Sequence, residues 1–482
     1  MYFMNRMPVT TGFLMAVSET NRAEISELFY SAQLFVVLYL LLLFFYFYIT
    51  IKKIDNTYFI ENIKRRLSLF IIYAGVLLSG YAYYFVRNYK TIPDKEIIVS
   101  KTNWVFLMKF RKIYPYNVLI IVQETYALKK EIQDGQKKVQ DFKFHAVKQE
   151  MPEQKEVYVF VIGETARYSS FSINGYHRET TPFLSRLDNL ISFSNFFSEA
   201  NYTSFSLPTI LTRSTALDYT YHFHEKSFVD AFQEAGFKTY WLGNQGSGES
   251  LVRRIAKDAN GEYFFTSEYD AEGNYDEKLW IPLQEILSRA EDKVLIVMHT
   301  LGSHFRYNFR YPESFDRYKP SFEGAFDYAL ISPKNKELFI NTYDNSILYT
   351  DYFLANTIRK IDSLNCISSL IYVSDHGENL YDTEQNIVLH GGTIYTLYDF
   401  HVPFLVWTSG EYNVQYPEKI QNMEQNRDKK LSAGNIFYSI LDIADITFPE
   451  QQLNRSIASD SLQTDSVRYI IDPDMQRQIV NW

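Results

Sequence analysis

Five short runs, "VYVFVIG", "KTYWLGN", "KVLIVMHT", "SLIYVSD" and "VPFLVW", are almost continuously apolar. Stretches of helical character such as "KSFVDAFQEAG", "LFINTYDNSILYTDYFLANTIRKIDSL" and "AGNIFYSILDIAD" separate them. Strands that lack polar alternation are buried on both faces. Strands spaced by helices predict an α/β fold, a mainly parallel sheet sandwiched between helices. In such a sheet ligands bind beyond the carboxyl ends of the strands. The residues there are Glu164, Asn244, His299 with His304, and Asp375 with His376. Each alone is as well explained by a hydrogen-bonded structural role. Together, carboxylates and imidazoles suit a cation with oxygen and nitrogen ligands, zinc above all.

The first hundred residues follow a different rule. Run 34–51, "LFVVLYLLLLFFYFYITI", carries no charge and has the length of a membrane helix. Run 69–86, "LFIIYAGVLLSGYAYYFV", is a second such stretch. The connection between them holds Lys52, Lys53, Lys64, Arg65 and Arg66, which places it in the cytoplasm and both outer flanks on the far side. Buried core helices would not need such flanks. The expected organisation is a membrane region over 1–103 with helices at about 34–51 and 69–86, an amphipathic linker over 104–155, and a catalytic domain over 156–482. The mixed apolar and basic text after residue 87 fits helical pieces on the membrane surface or an ordinary linker. "KKEIQDGQKKVQDFKFHAVKQEMPEQKE" reads as a solvated tether. A net charge of −9 argues against a general nucleic-acid binder. Cys366 is the sole cysteine, so no intrachain disulfide can form.

The text "VIGETARYSSFSINGYHRETTPFLSRLDNLISFSN", "TSFSLP", "MHTLGSHFRYNFRYP", "INTYDNSILYTDYFLANTI", "SDHGENL" and "LHGG" resembles, in content and order, the alkaline phosphatase and sulfatase superfamily. Within it the chain is most similar to the membrane-bound phosphoethanolamine transferases that modify lipopolysaccharide. The resemblance implies that Glu164, Asp375 and His376 bind a catalytic zinc and that Thr203, five residues before Pro208, is both nucleophile and ligand. His304 and His390 match a further set of imidazoles that bind the donor phosphate, hold a second zinc or shuttle protons. Asn244 and Gln245 fall where relatives contact the donor head group. Glu249 stands where a Lys occurs in relatives, and the several disulfides of periplasmic relatives have no counterpart. "ETNRAEISEL" lies before the first apolar run, where relatives carry similar text before their third membrane helix.

The resemblance implies a monomeric inner-membrane enzyme facing the periplasm. It would take phosphoethanolamine from phosphatidylethanolamine to lipid A or another lipopolysaccharide acceptor. A phosphoglycerol transferase, a sulfatase or a phosphohydrolase could use the same fold. The Cys/Ser-x-Pro-x-Arg setting of sulfatases is absent near Thr203. A scaffold with a dead site would be expected to have lost ligands that are all present here.

Overall fold

The computed structural model describes residues 56–91, 116–245, 251–265, 273–324 and 330–482, with 10, 11, 14, 15, 41, 44, 45 and 48. The chain divides into two units: Met1–Asn21 with Ala127–Trp482, and Arg22–Tyr126.

The larger unit is built on a seven-stranded sheet. In chain order its strands are β1 (Glu156–Gly163), β2 (Leu190–Ser192), β3 (Lys238–Gly243), β4 (Gly261–Phe264), β5 (Lys293–His299), β6 (Ile367–Ser374) and β7 (Phe404–Thr408). Their spatial order is β2-β7-β6-β1-β5-β3-β4, and only β7 runs against the rest. Every residue of β1 and β6 is buried, as expected for central parallel strands. Side chains alternate along β1. Tyr158, Phe160 and Ile162 enter one core with Leu207, Phe228, Ile255 and Phe437. Val157, Val159 and Val161 enter another with Leu283, Phe339, Ile347 and Phe353. The sheet is therefore covered on both faces, as the apolar runs require.

Register aligns the strand ends. Gly163 pairs with Ser374, while His299 pairs with both Ile162 and Gly243. The segments leaving β1, β3, β5 and β6 thus emerge at one edge.

Part of the expected tether is not solvated. Phe144 and Ala146 belong to the core, and Val147–Lys148 pairs with Ile446–Thr447. Lys148 is buried against Glu156, Nζ to Oε2 3.2 Å, and donates to the Tyr416 hydroxyl at 2.8 Å. Charged neighbours mask this strand in the sequence, because its lysine pairs inward rather than facing water.

In the smaller unit a single helix, Asn56–Thr91, contains the second apolar run. Its Phe70, Ile71, Ile72 and Leu78 are all at least 60% exposed. Among the described residues, no helix is long and apolar enough to cross a membrane. Of run 34–51 only Leu41, Phe44, Phe45 and Tyr48 are described, all exposed. The surface segment 92–115 and Glu249 lie outside the described residues.

A candidate metal centre at the sheet edge

Glu164 follows β1 and Asp375–His376 follow β6, so adjacent strands deliver all three. One ligand atom from each lies within 4.8 Å of the others, and all three residues are buried. His376 Nε2 is 3.3 Å from Glu164 Oε1 and 3.4 Å from Asp375 Oδ2. His376 Nδ1 faces the Gly377 carbonyl at 3.0 Å. If Nδ1 donates there, the Nε2 lone pair is left for a metal. Asp375 Oδ1 accepts from the Thr165 and His376 amides, whereas its Oδ2 is buried without a hydrogen-bond partner. That oxygen has the His376 ring nitrogen at 3.4 Å and a second carboxylate sharing the same nitrogen, a grouping that favours a bound cation. Two carboxylates, an imidazole and a hydroxyl fit zinc in donor type and number.

The charges agree. Burial alone would raise the Glu164 carboxyl, but the hydrogen bond and charge of His376, helped by His304 and His390, hold it well below its ordinary value. Burial and Glu164 push Asp375 up to about 7. His376, against the effect of burial, is raised to about 10 by Asp375 and Glu164. Without a metal, this cluster keeps a proton where a metal would displace one.

Thr203 opens the helix Thr203–Leu211, with Tyr202 as its cap. Its Oγ1 lies 3.2 Å from His376 Nε2 and 3.4 and 3.5 Å from the Glu164 oxygens. Ser204 and Ser206 share the segment, but Ser206 Oγ donates back to the Thr203 carbonyl. The partial positive charge of the helix start favours negative charge developing on the Thr203 oxygen.

The other expected residues fall into two groups. Gln245 Nε2 bonds Glu164 Oε2 and the Thr300 carbonyl, both at 2.8 Å. Asn244 instead donates to buried Asp276, 3.0 Å, which also receives the Leu301 and Gly302 amides. The His390 ring lies 4.0 Å from that of His376, and burial with His376 holds it well below its ordinary value. His304 acts electrostatically on Glu164 and Glu378. His299 is buried with neither nitrogen bonded, its pKa lowered to about 4 by burial. It packs edge-on to Trp241, as expected of a strand-end packing residue.

Sequence reasoning missed several supporting residues. Glu378 is fully buried, accepts from the Tyr307 hydroxyl at 2.8 Å and holds His390 Nδ1 at 3.3 Å. The sole signal was its place in "SDHGE". Thr165 sits at φ 60°, a left-handed conformation rare for a β-branched residue. There its amide reaches Asp375 and its hydroxyl reaches Glu164 Oε1 at 2.8 Å. Such strain costs about 1–3 kcal/mol and gathers at functional sites. Tyr343, within "INTYDNSILYTD", locks this turn by donating to the Thr165 carbonyl and accepting from the Arg167 amide.

Gly302 completes the cradle. It sits at φ +50°, where an added Cβ would lie 2.7 Å from Glu164 O and 2.9 Å from Glu164 N. Those are backbone atoms, so Glu164 itself would have to move. Gly302→Ala is expected to cost about 1–3 kcal/mol in backbone strain and to lower the affinity of the candidate centre for a metal. Thermal unfolding and metal analysis of the purified variant check both.

A sequence model of the sulfatase family matches residues 156–446. The chain belongs to the sulfatase family. Its sheet is that of the alkaline phosphatase/sulfatase superfamily. The chain is 29% identical over 353 residues to phosphoethanolamine transferase EptC of Escherichia coli K12, covering 70% of this chain. The match spans 58% of that relative, so the chain accounts for well under two thirds of its length. The C-terminal periplasmic domain of E. coli EptC, solved in complex with Zn, is 27% identical with a TM-score of 0.62. That match covers 70% of this chain and 94% of the domain. The integral membrane phosphoethanolamine transferase EptA of Neisseria meningitidis shares the fold at 23% identity. Its TM-score is 0.72, over 95% of this chain and 83% of that one.

Proposed function

We propose that this sulfatase-family chain transfers phosphoethanolamine from phosphatidylethanolamine to a lipopolysaccharide or lipid A acceptor through Thr203, with zinc as its metal. The observation that carries this reading is the Thr203 hydroxyl, 3.2 Å from His376 Nε2 and beside both Glu164 oxygens at a helix start. The similarity to a transferase of that name, and to its zinc-containing domain, supports the choice of group and metal.

Glu164, Asp375, His376 and Thr203 Oγ1 would hold the metal, which when bound lowers the pKa of a hydroxyl and neutralises phosphoryl oxygens. Thr203 Oγ then attacks the donor phosphorus. The Oγ–P bond forms, the P–O bond to diacylglycerol breaks, and the diacylglycerol oxygen takes up a proton. His390, neutral and anchored by Glu378, is suited to accept and return that proton. His304 adds positive charge near the phosphoryl oxygens when protonated. In the second half an acceptor oxygen attacks the same phosphorus and frees Thr203. Gln245 holds Glu164 from the donor side.

The test is direct. Purified full-length chain given phosphatidylethanolamine and lipid A should yield diacylglycerol and lipid A heavier by one phosphoethanolamine, read by mass spectrometry. Phosphoethanolamine released only to water would make it a phosphohydrolase, and turnover of phosphatidylglycerol alone a phosphoglycerol transferase.

The same reading places 1–103 at the inner membrane, 104–155 as the connecting segment and 156–482 in the periplasm, acting as a monomer. The exposed apolar side chains of Asn56–Thr91 support membrane contact. A reporter fused after Trp482 should be active outside the cytoplasm, and one inserted between Lys53 and Lys64 should report cytoplasm. Swapped signals would reverse the topology.

A further inference from the structure

Outside the metal cluster, a cavity of about 280 Å³ is lined by Lys430, Arg455 and Arg468. Arg468 is only 6% exposed. Its Nη1 donates to the Leu431 carbonyl at 2.8 Å and its Nη2 to Asn195 O at 3.2 Å and to Asn195 Oδ1. The guanidinium carbon lies 3.6 Å from the centre of the Phe197 ring. Its Nε is buried with no acceptor. Among the described residues no carboxylate forms an ion pair with Arg468 or Arg455. Burial lowers the Arg468 pKa to about 10, with no opposing acid.

Two acids also line the cavity, Glu199 and Asp465; the charge of Glu199 acts on Arg455, but neither acid forms an ion pair with Arg455 or Arg468. Both Glu199 oxygens are engaged, by the Ser432 hydroxyl and Gly434 amide on one and the Ala216 amide on the other. Asp465 is exposed at the mouth with Gln463 and Thr464. Gly434 lets Arg455 settle over the backbone, since a Cβ there would lie 2.5 Å from Arg455 Nη2. A guanidinium removed from water without an ion-pair partner is costly. Arg468, its terminal nitrogens already bonded, contributes charge and its unbonded Nε, while the planar fork of Arg455 matches the oxygens of a phosphate. We infer that this cavity binds a phosphate monoester, at a site separate from the metal centre. None of its lining residues belongs to the Glu164–Asp375–His376 cluster. The volume leaves room beyond one phosphate, so the monoester can carry a small hydroxylated group.

The experiment is equilibrium dialysis of the full chain in neutral detergent against labelled inorganic phosphate. A chelator keeps the metal centre from contributing. Wild type should bind saturably. Arg455→Gln and Lys430→Gln, both at partly exposed positions, should each weaken binding at least tenfold, while Arg455→Lys restores part of it. Unchanged thermal unfolding of these variants shows that the fold is intact. Equal binding by wild type and Arg455→Gln, or no saturable binding, overturns the inference. Nanodiscs of phosphatidylcholine with or without phosphatidic acid distinguish the source. Loss of phosphate binding only in the phosphatidic acid discs identifies a lipid head group, and equal binding in both identifies a soluble phosphate.

Discussion

Thr203→Ala should reduce transfer by about 10⁴-fold or more, the scale of losses when a covalent nucleophile is removed. It should leave the sheet and most of the bound zinc in place. The Thr203 side chain is part-buried at the first turn of its helix, so its loss leaves no large core cavity. Three other proposed ligands remain, two of them carboxylates. Thr203→Ser keeps the hydroxyl and should keep part of the activity. Wild type incubated with phosphatidylethanolamine and no acceptor should accumulate a peptide carrying phosphoethanolamine on Thr203. An adduct on Ser204 or Ser206 would move the nucleophile, and direct donor-to-acceptor transfer without any adduct would exclude the two-step route.

The placement of the candidate site residues was legible in the sequence only where local pattern dictates place. Glu164, Asp375 and His376 terminate β1 and β6, whose unbroken apolar runs announce buried parallel strands. Once those strands pair in register, their ends must meet. Thr203 is different. It lies on a helix in a long connection, and nothing in its spacing from Glu164 predicts an approach of 3.4 Å. The resemblance, not the periodicity, singled it out. Gly302 and Thr165 were opaque for a related reason. Their left-handed conformations are set by the close crossing of two loops, a tertiary fact with no local signature.

The motif "INTYDNSILYTD" shows the opposite case, a signal whose meaning only the fold supplies. It lies in the helix Lys336–Asp362, where its polar residues are buried. Asp351 accepts the amides of Phe183 and Leu184, and Asp344 accepts from Tyr176 and Arg178. Asn345 accepts the amides of Arg317 and Tyr318. These side chains fasten the long loops after β1 and β5 to one helix. In a chain that can form no intrachain disulfide, such buried hydrogen bonds take over the task of fixing loops. Phe144 and Lys148 escaped notice because polar text surrounds a strand that pairs at the sheet's far side.

Glu164→Gln and Asp375→Asn should each lower zinc affinity by more than about 100-fold, since even outer-shell partners of a metal ligand are worth about 10–100-fold. The substitutions are nearly isosteric, so the effect isolates charge. Glu164→Gln also disturbs four contacts at once: Thr165, Thr203, Gln245 and His376 all meet its carboxylate. Asp375→Asn removes the charge of the oxygen that has no hydrogen-bond partner, leaving its amide facing His376 Nε2. Zinc content by mass spectrometry and transfer activity should fall together in both variants. Activity in Asp375→Asn should return in part at high zinc concentration, because binding is weakened while Thr203 stays in place. Lost activity with full zinc occupancy would mean that these carboxylates act on the reaction by some route other than holding the metal. Full activity in the chelated wild type would remove the metal from the mechanism altogether.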